Sequence, residues 1–200
     1  MRNKVARVAG LTGLAAGVLA LAGATAAPAL AGVTDTGGSV VIALRHAVVA
    51  GLAKSSIVVL PAGSGTASYS KGAEKITLQV TGGTASFVGT AGSLELAGSL
   101  ELIDGATGKS VTVTKLTFNY ASGDISGSAG GRHVVIGEIG GAEVGQQHAG
   151  PPTSETFSAS AVFTTRAGAA YLDGRLRSKY FKANKDLGSF AADYETAPTT

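Results

Sequence analysis

Gly92-Ser93-Leu94-Glu95-Leu96-Ala97-Gly98-Ser99-Leu100-Glu101-Leu102 is the stretch whose reading decides the fold class. Leu94, Leu96, Leu100 and Leu102 fall at even spacings, with Glu95 and Glu101 between them. Apolar and charged residues at period two describe a strand with one face on a core. The unit Gly-Ser-Leu-Glu-Leu occurs twice, too short for a repeat architecture. Its leucines stay in phase across Ala97-Gly98, which predicts a bend at Gly98 with both halves in one strand.

Outward from there the same period recurs. Ile76, Leu78 and Val80 alternate with Lys75, Thr77 and Gln79. Gly82-Gly83 reads as a hairpin turn leading to a strand over 85–88. Asp104-Gly105 and Thr107-Gly108 mark the next turn. Val111 and Val113, then Leu116, Phe118 and Tyr120, shift phase at Thr114-Lys115, which predicts a bulge. Ile125–Ser128, His133–Ile139 and a strand carrying Phe157, Ala159, Ala161 and Phe163 follow, with 140–153 as the longest loop. Near the start, 33–38 reads as a flexible lead-in and Val40–Ile42 as a short strand. Ile57–Leu60 reads as a buried strand stopped by Pro61, and 187–194 as a last strand. Two segments change to helical spacing. Leu44, Val48 and Leu52 make one stripe, and Ala169, Leu172, Leu176 and Tyr180 make the other, with Thr165 as its N-cap. The expected fold is mainly β, an antiparallel β-sandwich with two short helices.

Composition narrows the class. At 44% hydrophobic and 14% charged, the 200 residues are too apolar for a disordered chain. The absence of Cys excludes thiol catalysis and thiolate metal sites. Arg2, Lys4 and Arg7, an apolar run from Val8 to Ala22 and the small-residue end Ala29-Leu30-Ala31 form the pattern of a secretion signal over 1–31, with Ala26 as the other cleavage candidate. The run of roughly fifteen residues is short of the ~20 that span a bilayer. A single β-rich domain over 32–200 is then expected outside the cell, secreted and in contact with the cell wall, without a transmembrane segment. The precursor carries 16 Lys+Arg against 13 Asp+Glu; without Arg2, Lys4 and Arg7 the balance is 13 of each. That balance argues against a nucleic-acid partner.

Three stretches resemble the HtaA-type (Htaa) domain of secreted actinobacterial proteins. They are Val40–Leu60, Gly92–Ile139 and Phe163–Phe190, the last with Arg166-Ala167-Gly168-Ala169-Ala170-Tyr171-Leu172, Phe181-Lys182 and Leu187-Gly188. The resemblance implies a secreted or wall-displayed β-sandwich, and in some members haem binding through tyrosine and histidine. Leu96 stands where the resemblance would place the family's histidine.

Chemistry-bearing residues are sparse. His46, His133 and His148 lack metal-ligand spacing, so no metal is expected. No serine sits in a nucleophile elbow and no glycine run forms a phosphate loop, so no catalytic residue is named and the chain is read as a non-enzyme. If haem were bound, His133 with Tyr69 or Tyr120 would be its ligands. A second candidate is cationic: Arg175, Lys179 and Lys182, read as one face of the last helix, would meet an anionic cell-wall polymer or another surface protein. The leading expectation is a secreted structural or interaction module without a cofactor. The alternative is a protein binding haem or another small apolar ligand in iron uptake.

Overall fold

The computed structural model describes residues 35–70, 73–84, 91–147 and 153–196, among which ten strands and two helices form. The strands are β1 (Asp35–Leu44), β2 (Ile57–Ala62), β3 (Thr66–Ser70), β4 (Ala73–Gly83), β5 (Ser93–Asp104), β6 (Lys109–Asn119), β7 (Asp124–Ala129), β8 (Arg132–Gln147), β9 (Thr153–Thr164) and β10 (Asp186–Thr196). Helix α1 (His46–Lys54) follows β1, and α2 (Arg166–Leu176) follows β9. The secretion signal expected over 1–31 and the strand predicted over 85–88 lie outside the described residues.

The fold is mainly β and antiparallel, as expected, but the sandwich is corrected to a barrel. Strands β5-β6-β7-β8-β9-β10-β1-β4 follow one another, and β4 returns to β5 through Val80–Leu96, Gly82–Glu95 and Gly83–Leu94. Inward alternation reads the same in either architecture; closure depends on whether the last strand meets the first.

Below that seam β4 and β5 part, and each takes an outer neighbour. Ala73–Thr77 pairs with β3, and Ser99–Asp104 pairs with β2. The parting occurs at the predicted bend. Gly98 has φ +88°, and a Cβ there would stand 2.6 Å from the Ala62 carbonyl oxygen, so only glycine lets β2 cross. From Ser93 on, both halves of the duplicated sequence lie in β5, with all four leucines buried.

Eight strands leave an interior that side chains nearly fill. Ile42 and Leu44 of β1, Ile76 and Leu78 of β4, and Val113 and Phe118 of β6 are among the inward residues. The bulge predicted at Thr114-Lys115 is present: the β6–β7 register slips between Thr114 and Thr117, and Lys115 takes φ +49°. A second bulge was not predicted. Where β9 meets β10, Gly188 faces Val162 but Phe190 faces Ala159. That slip buries Val162 instead of Phe163.

Other boundaries moved for physical reasons. Asp35–Gly38 is not a loose lead-in, because β10 pairs with it. β2 lies at the edge of the sheet, where Pro61 is tolerated inside the strand. Its Val58 and Leu60 are exposed, so the strand is not fully buried. β3 went unpredicted because the alternation in Thr66–Ser70 rests on Ala67 and Tyr69 alone. The predicted loop over 140–153 is mostly strand, since β8 continues to Gln147 along β9.

Candidate functional site

The connections sort the molecule into two ends. α1, α2, the β5–β6 turn and the loop from α2 to β10 gather at one end. Tyr120 and the outer ends of β1, β9 and β10 lie at the other.

At the helix end α2 is tightly fitted. The Thr165 hydroxyl accepts the Gly168 N–H at 2.9 Å and donates to the Val135 carbonyl, which starts the helix and ties it to β8. A Cβ on Gly168 would lie 2.8 Å from backbone atoms of Val135 and Ile136, so glycine permits this contact. The Tyr171 hydroxyl donates to Ala129 O at 2.9 Å. The helix stops at Leu176 because Arg177 turns left-handed at φ 58°. The Thr107 hydroxyl, from the β5–β6 turn, donates to Leu176 O at 3.2 Å and so caps the exposed carbonyl end.

This early stop corrects the single cationic helix face. Arg175 lies on α2, and a Cβ on Gly130 would sit 4.0 Å from its guanidinium. Lys179 and Lys182 lie beyond the helix, in the loop to β10, and face a different space. That space is an open cleft of about 600 Å³, walled by Ser55 after α1, by Asp104, Ala106 and Thr107 of the β5–β6 turn, and by the 177–185 loop. The loop supplies Arg177, Lys179, Lys182 and Lys185. The Asp104 carboxylate is buried and accepts the Ala106 and Thr107 N–H groups at 2.8 and 3.2 Å. Its charge is therefore directed into the turn. Among the described residues the ion pair at this end is Arg45–Asp186, 2.9 Å long, so none of the four cleft cations is in one.

Tyr180 forms the inner wall. Its hydroxyl donates to Val48 O at 2.8 Å, and the Lys185 ammonium lies 3.3 Å from its ring centroid. Burial pushes the Tyr180 phenol upward in pKa. Burial, and then the like charge of Lys182, hold the Lys185 ammonium below its ordinary value, against a smaller opposing pull from Asp173. Asp173 instead organises the loop by accepting the Phe181 N–H at 3.0 Å and the Ser178 hydroxyl.

Beneath the helices lies an aliphatic cavity of about 90 Å³, bordered by Leu44, Leu52, Leu102, Val113 and Leu172 among others. Drug-sized ligands occupy about 300–1,000 Å³, so this space suits nothing as large as haem.

The haem-ligand candidates are not brought together. His133 is exposed where β8 leaves the β7–β8 turn, opposite Ser128. Tyr120 follows β6 at the other end of β7, its ring 5.2 Å from Phe157. At about 3.3 Å per strand residue, β7 alone keeps the two on the order of 13 Å apart. Tyr69 is exposed on edge strand β3. Sequence reasoning left Arg177 and Lys185 off the face it assigned to Lys179 and Lys182, and read Tyr180 as part of the apolar stripe. The dense cationic run over 175–185 was the available signal, and the left-handed turn at Arg177 hid its geometry.

This architecture has solved counterparts. The C-terminal domain of HtaA from Corynebacterium glutamicum superposes with a TM-score of 0.58 at 12% identity, over 82% of this chain and 99% of that one. The fold is HtaA-type. The heme binding protein HtaB from the same organism is also similar, with a TM-score of 0.46 at 11% identity, over 82% of this chain and 95% of that one. No protein-family model and no curated protein sequence matches the chain.

Proposed function

We propose that this domain binds an acidic amphiphile of the haem class in the cationic cleft at the helix end. The expectation of a structural module without a ligand is corrected: the HtaA-type fold shared with the C-terminal domain of HtaA, together with the open cationic cleft, favours the ligand-binding alternative. The observation that carries the reading is the cleft itself. It is large enough for a ligand of that size, has Tyr180 as an aromatic wall, and presents Arg177, Lys179, Lys182 and Lys185 outside any ion pair among the described residues.

Haem brings an apolar ring, two carboxylates and an iron. The carboxylates suit this cleft, whose lining beyond Ala106 and Tyr180 is polar or charged; the iron does not, because the Tyr180 hydroxyl is held by Val48. What the residues themselves do is hold acid groups beside the Tyr180 wall. The protein acts as a secreted binding protein without a catalytic step. The same exposed cations are what an anionic wall polymer would meet.

Adding hemin to the purified protein is expected to give a saturable Soret shift at micromolar concentration. Replacing Lys179 and Lys182 together by Glu is expected to weaken binding by about tenfold or more. A spectrum unchanged from hemin in buffer removes the reading.

A further inference from the structure

We propose that the cleft holds its ligand by the ligand's acid groups alone, with no bond from the protein to a central metal, so that a metal-free porphyrin dicarboxylate binds as tightly as ferric haem. This rests on the ligand-binding reading above and narrows it.

Haem iron is held by His, Cys, Met or Tyr side chains. Of these types, the cleft lining among the described residues contributes Tyr180. Three features remove it as a ligand. Its hydroxyl already donates to Val48 O at 2.8 Å, so approach to iron would strip a carbonyl of its donor. The Lys185 ammonium covers one face of its ring at 3.3 Å. A phenolate would also have to form in a half-buried place where burial raises the phenol's pKa. The ring is thus fixed as a wall, with its oxygen turned to α1.

The opposite inventory favours acid groups. Arg177, Lys179 and Lys182 are exposed on the cleft, and Lys185 is half-buried beside them. Of the two competing carboxylates, Asp104 is taken up by two backbone N–H groups, and Asp173 by the Phe181 N–H and the Ser178 hydroxyl. Thr107, Thr165 and Tyr171 pin α2, from which the cationic loop departs, to the barrel. The specificity read from this geometry is for the ligand's acid groups, whatever the ring contains.

Ferric haem, metal-free protoporphyrin and the dimethyl ester of the latter are titrated separately into the purified protein. Soret absorbance is followed for all three, with porphyrin emission for the two metal-free compounds. The two acids are expected to bind within about tenfold of each other, and the ester more than about tenfold weaker. Lys179→Ala with Lys182→Ala is expected to weaken both acids by the same factor, and added salt to weaken both in parallel. In Tyr180→Phe the ratio of the two dissociation constants is expected to stay the same. An advantage for haem above tenfold, whether or not Tyr180→Phe removes it, demonstrates a bond to iron and overturns the proposal while leaving the ligand-binding reading intact. An ester that binds as tightly as the acids also overturns it. Failure of all three to bind overturns the ligand-binding reading itself.

Discussion

At the far end of the barrel, Phe118, Phe157 and Phe190 stack within 4.6–6.0 Å of one another, and Tyr120 meets Phe157 edge-on. The Tyr194 hydroxyl donates to the Glu155 carboxylate at 2.6 Å, a buried pair across β9 and β10. At the helix end, aliphatic side chains leave a 90 Å³ void, and cations stand on the rim in water. The first end is filled and internally satisfied. The second is held by helix contacts but leaves Arg177, Lys179 and Lys182 exposed and outside ion pairs among the described residues. Stability therefore concentrates where the rings pack, and recognition where the cations do.

The largest effect is expected from Phe118→Ala. It removes a fully buried ring that touches three other aromatics, and about 3–5 kcal/mol of unfolding free energy goes with it. Denaturant unfolding measures this; a loss under 1 kcal/mol would break the assignment of stability to the far end. Tyr194→Phe keeps the ring but leaves buried Glu155 short of one donor, at a cost of about 1–3 kcal/mol by the same measurement.

At the helix end, Thr165→Ala removes the N-cap of α2 and its tie to Val135, and about 1 kcal/mol is expected to be lost. Amide exchange should rise first in α2, with β9 and β10 less affected. The smallest effect on stability is expected from Lys179→Ala with Lys182→Ala, within about 0.5 kcal/mol, because both side chains are exposed and outside ion pairs among the described residues. If that variant unfolds as easily as Phe118→Ala, the division between the two ends fails.

Most strands were legible because alternation is local. Ile76, Leu78 and Val80, or the four leucines of β5, name their own inward face. Thr165 announced α2 through its capping chemistry. Legibility failed where a neighbour overrode the local pattern. β3 forms because β4 offers an edge, the Val162 face was set by a bulge against β10, and β8 runs on because β9 lies beside it. The site was legible only in part. Lys179 and Lys182 were found, but they were placed on a helix that ends three residues before Lys179.

The sequence by itself determined that this is a mainly-β chain with two helices, a bend at Gly98 and a bulge near Lys115, because spacing and backbone conformation are properties of neighbouring residues. The tertiary structure decided that the sheet closes, through contact between Val80 and Leu96. It also decided that Arg177, Lys179, Lys182 and Lys185 face one cleft with Ser55 and Thr107. Those relations join segments many residues apart, so they depend on strand register and helix termination, which no local period encodes.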